Sequence, residues 1–134
     1  MVILDLRPSV NPCVGKQING FVQWLNQEEN FQEDVTIAVT GAKFVYNSIT
    51  MEKVLGTFFA PFDGSELLPF MKVATGNFFT DVTSQGFNQA RKDVLEIVAH
   101  EFFHFSQWMN DIALDEEQAQ NEARVLVERY LKLL

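Results

Sequence analysis

The stretch "IVAHEFFHFSQW", residues 97–108, decides how the chain is read. Apolar residues recur on nearly every side of a helix drawn from Asn88 to Met109: Val94, Leu95, Ile97, Val98, Ala99, Phe102, Phe103, Phe105 and Trp108. A helix apolar all round is buried, so this one is expected to sit at the centre of the fold. Against that background stand the chain's two histidines, His100 and His104, with Glu101 directly after the first. At about 100° per residue, positions four apart project from one side about a turn apart, close enough for both imidazoles to reach one tetrahedral ion. Glu101 is rotated about a quarter turn away, outside that inner shell but within reach of a water beside it. Two ligands and one general base is the division of labour that metal-assisted hydrolysis needs. Chance sets two histidines four apart in roughly 1.5% of arrangements, and roughly 0.1% once a glutamate must follow the first. The trio therefore weighs towards a metal site over two core imidazoles.

The rest of the chain supplies a frame. Pro8 and Pro12 bracket an irregular beginning. Ile18, Phe21, Val22 and Leu25 fall at helical spacing, predicting an amphipathic helix over residues 15–31. "DVTIAVTG" (34–41) alternates around β-branched residues and reads as a strand. "KFVYNSI" is a further strand or an irregular excursion, and "GTFFAPF" (56–62) and "PFMKVATGNFF" (69–79) are strand-like. Residues 80–87 read as a loop into the long helix. "NDIAL" makes a short turn, and a last helix runs from Asp115 to the end, with Asp115 as N-cap and Gln118 three residues on. The expected fold is α+β in one domain over residues 1–134: an N-terminal helix, a sheet of three or four strands, then two packed helices carrying the metal site.

Composition bounds the alternatives. In 134 residues, 47% are hydrophobic and 21% charged, which suits an ordinary folded protein. A net charge of −8 argues against nucleic acid or an anionic membrane as the main partner. The single cysteine, Cys13, excludes an internal disulfide framework and fits a reducing compartment. With no apolar run of eighteen residues and no leader-like start, the expectation is a cytoplasmic protein.

On the run His100-Glu101-Phe102-Phe103-His104 the chain resembles the zincin metallopeptidases, which carry the signature His-Glu-x-x-His. The resemblance implies zinc as cofactor, a peptide or protein substrate, and Glu101 as the general base. Zincin classes differ in the third ligand. A metzincin-like site needs another histidine, and none exists. A deformylase-like site needs a cysteine in a glycine-rich context, which Cys13 in "NPCVGK" lacks. The gluzincins, with a glutamate on the following helix, remain.

Three glutamates compete for that role. On a helical wheel Glu116 lines up with Ala119, Ala123, Val127 and Tyr130, the small and apolar face that must pack on the preceding helix. Glu117 lines up with Asn121, Arg124 and Glu128 on a polar face, and Glu122 falls on an intermediate side. The wheel selects Glu116, with Glu122 in reserve. The segment "EEQAQNEA" also resembles the Glu-x-x-Ala-x-x-x-Ala element of small intracellular and phage-associated gluzincin-like peptidases, whose metal glutamate falls on Glu116. Gln120 and Glu122 depart from the usual residues there. Two further expectations follow from the resemblance: "FMKVATG" (70–76) as the strand along the substrate cleft, with an ordinary core strand as the equal alternative, and Tyr46 or Tyr130 as a possible aid to the oxyanion. A different class of function is a non-catalytic or partner-specific regulatory protein that keeps the metal site; a base beside an open coordination position discriminates against it.

Overall fold

The computed structural model describes residues 1–29 and 31–134. The chain begins with a strand, β1 (Val2–Leu6), followed by helix α1 (Pro12–Glu28) and strand β2 (Val35–Thr40). Two short strands, β3 (Val45–Tyr46) and β4 (Lys53–Val54), form an antiparallel hairpin that leads into β5 (Gly56–Phe59) and β6 (Phe70–Ala74). Three helices complete the chain: α2 (Phe78–Gln85), α3 (Phe87–Met109) and α4 (Glu116–Leu131). The fold is α+β, as the sequence predicts.

The main sheet has the order β1-β2-β6-β5. β1, β2 and β6 run parallel, with Val2 opposite Val35 and Thr36 opposite Phe70, while β5 runs antiparallel to β6. Val35, Ile37 and Val39 of β2 are buried and the residues between them only partly so. That alternation belongs to a sheet with one covered face. α3 packs on β5 and β6, α1 packs on β1 and on α3, and α4 packs on α3. The core thus lies between sheet and helices, around Phe21, Ile37, Met71, Leu95 and Phe105, all without exposed surface. As its sequence predicts, α3 is the central element.

Several expectations need correction. The stretch bracketed by Pro8 and Pro12 is irregular as expected, but an unexpected strand precedes it: Val2–Leu6 gains its ladder from β2, some thirty residues on, a partner no local pattern reveals. α1 starts at Pro12, with the Asn11 side chain accepting from the Cys13 N–H and proline in the first turn, and ends at Glu28, short of the predicted residue 31; residue 30 lies outside the described residues. Residues 78–85 form α2, where a strand end and a loop are expected. Phe78 is buried there against Phe79 and Phe87, so packing overrides the weak helix preference of "TDVTS". Gly86 then separates α2 from α3 with φ +89°, a backbone conformation that favours glycine. No described helix is long and apolar enough to cross a membrane.

Candidate metal centre

α3 and α4 meet across a short turn, and the pairing of their faces builds the centre. Ala119 and Ala123 are fully buried, which lets the two helices approach closely, and Val127 and Tyr130 continue the same face. Asp115 caps α4 by accepting from the Gln118 N–H at 3.0 Å, as its place before the helix predicts. Glu116, the first residue of α4, is thereby aimed back at α3.

Its carboxylate meets both imidazoles. One oxygen lies 2.7 Å from His100 Nε2 and the other 3.0 Å from His104 Nε2, while the two Nε2 atoms are 3.1 Å apart. Around a tetrahedral ion with bonds of about 2.0–2.1 Å, neighbouring ligand atoms stand about 3.3 Å apart. The three groups therefore converge as a cation requires, slightly drawn in. The remaining ring nitrogens point away, each to a glutamine: His100 Nδ1 to Gln120 Oε1 at 2.9 Å and His104 Nδ1 to Gln107 Oε1 at 3.0 Å. Outward partners of this kind fix the orientation of metal-binding imidazoles.

Glu101 stands beside this trio. It is 5% exposed, and one of its oxygens and the imidazole nitrogens all lie within 4.8 Å of one another. His100, Glu101 and His104 form a group able to hold a metal ion. Burial pushes the Glu101 carboxyl up to about 8, and the negative charge of Glu116 adds to the rise. The other two candidate glutamates lie elsewhere. Glu117 is exposed, and Glu122 lines a separate surface groove with Phe103 and Arg129.

The centre opens on a groove of about 660 Å³ whose far wall is Leu55, Gly56, Thr57 and Phe58. These belong to β5 and the residue before it, and among the described residues β5 pairs on one side only. Of the two readings of residues 70–76, the inner core strand is the one found: β6 (Phe70–Ala74) is enclosed between β2 and β5 with its backbone groups used on both sides. The edge passes to β5 because the chain turns back antiparallel after the β3–β4 hairpin. Gly56 allows the close approach: a Cβ there would stand 2.8 Å from Ile97 Cγ2 and 3.1 Å from Glu101 Cγ.

Neither tyrosine reaches the groove. Tyr130 packs in the core against Phe21 and Trp24, and Tyr46 sits half-exposed on β3, its carbonyl accepting from Lys72. Cys13 is exposed on α1. Gln107 and Gln120 are not among the partners of the histidines expected from sequence. Their spacing holds a signal, since Gln107 follows His104 by three positions and Gln120 follows Glu116 by four, each on its neighbour's helix face. No known protein family, curated protein or solved structure matches the chain.

Proposed function

We propose that this chain is a zinc-dependent metallopeptidase of gluzincin type. One observation carries the reading: the carboxylate of Glu116 and the Nε2 atoms of His100 and His104 converge on one point beside a buried carboxylate, in the wall of an open groove. Two imidazoles and a carboxylate suit zinc, and three protein ligands leave a position open, the pattern of catalytic sites rather than structural ones. When bound, zinc supplies Lewis acidity that acidifies a water and polarises a peptide carbonyl. Glu101 takes the proton of the attacking water and hands it to the leaving amine. The unpaired edge of β5 offers backbone donors and acceptors to an extended peptide lying antiparallel or parallel along the groove.

Exposing wild type and Glu101→Gln to a mixed peptide library, with zinc content measured in both, tests the proposal. Wild type is expected to cleave, and the variant to keep zinc while losing on the order of 10²–10⁴-fold in rate, because an amide cannot accept the proton. Equal cleavage by the two proteins, or zinc uptake without cleavage by either, contradicts a peptidase; the second result indicates a metal-holding regulatory protein.

A further inference from the structure

We infer that Gln107 is a positioning residue that fixes which nitrogen of His104 faces the metal and, with the same amide, fixes where α4 begins. The inference rests on the metal reading of the site. The Gln107 side chain is 3% exposed and its amide is saturated. Oε1 accepts from the Asp115 N–H at 3.2 Å and from His104 Nδ1 at 3.0 Å. Nε2 donates to the Asp115 carbonyl at 3.2 Å and to Gln118 Oε1 at 3.1 Å. An amide offers two lone pairs and two N–H groups, so nothing is left over.

These partners settle the orientation of the amide. A backbone N–H can only donate and a backbone carbonyl can only accept, so turning the Gln107 amide over would set donor against donor and acceptor against acceptor at Asp115. Oε1 must therefore face His104. Nδ1 then carries a ring hydrogen, and Nε2 is the nitrogen left facing His100 Nε2 and Glu116. Gln120 gives His100 no such certainty, because no backbone group anchors its amide.

The second half of the inference concerns the turn. Asp115 immediately precedes Glu116 and caps α4, and Gln107 grips both of its backbone polar groups. The Gln107 main-chain carbonyl also accepts from the N–H groups of Asn110 and Ile112, at 3.2 and 2.9 Å. One residue on α3 thus sets the tautomer of one ligand and the starting point of the helix that brings another. Loss of an outer partner of this kind weakens metal binding about 10–100-fold.

The test uses the full chain, with Gln107→Met, which keeps length but makes none of these bonds, and Gln118→Ala, which removes only the outermost partner. Long-range nitrogen–hydrogen correlation NMR of the metal-free protein reports which ring nitrogen of His104 carries the hydrogen. Competition with a chelator reports zinc affinity. Wild type and Gln118→Ala are expected to show the hydrogen on Nδ1, and Gln107→Met to move a large share of it to Nε2 and lose about 10–100-fold in zinc affinity. Absence of a hydrogen from Nδ1 in wild type overturns the inference whether or not Gln107→Met folds. So does an unchanged tautomer or unchanged affinity in a folded Gln107→Met. Failure of wild type to take up zinc sinks the metal reading instead, and the tautomer still decides the role of Gln107.

Discussion

Ionising a carboxylate as buried as Glu101 is costly, and the cost leaves a trace in stability. In the unfolded chain this group ionises from about pH 4.5, whereas in the folded, metal-free protein it stays neutral to about 8. A raised folded value means its contribution is fully present at low pH and is lost as pH rises between those two values. The urea midpoint of the metal-free wild type is therefore expected to fall more between about pH 5 and about pH 8 than that of Glu101→Gln, which has nothing to ionise. Parallel profiles for the two proteins would show that Glu101 ionises freely in the fold. A cation beside Glu101 opposes the rise, so zinc should flatten the wild-type profile. At this scale His100, Glu101 and His104 are legible in sequence because a helix converts spacing directly into a shared face. Gln107 is legible only in part: its spacing from His104 is helical, but its other partner, Asp115, lies across a turn whose geometry no periodicity encodes.

Between helices, the question is which glutamate faces the histidines. The wheel that places Glu116 with Ala119 and Ala123 describes the face that α4 buries, and the carboxylate of Glu116 lies against both imidazoles. Yet its side chain is 81% exposed, whereas an apolar-face position suggests burial. The first turn of α4 projects past the core to the rim of the groove, where one side of the carboxylate meets histidine and the other meets solvent. In a chelator titration Glu116→Ala should lose most of its zinc affinity, while Glu117→Ala and Glu122→Ala should stay close to wild type. Loss of metal in Glu122→Ala alone would mean that α4 packs in another register. α3 and α4 are legible because long amphipathic helices carry their own pattern. β1 and α2 are not: one depends on a distant strand, the other on Phe78 and Phe87 packing together.

For the molecule as a whole, the sequence tells which segments are strands better than it tells their neighbours. The order β1-β2-β6-β5 encloses β6 and places β5 at the edge among the described residues, with Gly56 against Glu101 beside the groove. Sheet order arises from pairings between distant segments, so local alternation in "FMKVATG" cannot distinguish an inner strand from an edge. The two halves of the site thus have different origins. The half able to hold a metal ion comes from adjacent helices and is read from spacing; the groove beside it comes from topology. The proposed function depends on an ion at the point where Glu116 and the two imidazoles meet. The most direct measurement is the zinc content of the gently purified full chain beside that of His104→Ala. The account predicts about one zinc per chain in wild type and essentially none in the folded variant. Full zinc in His104→Ala, or a wild type that takes up none when zinc is supplied, would contradict it.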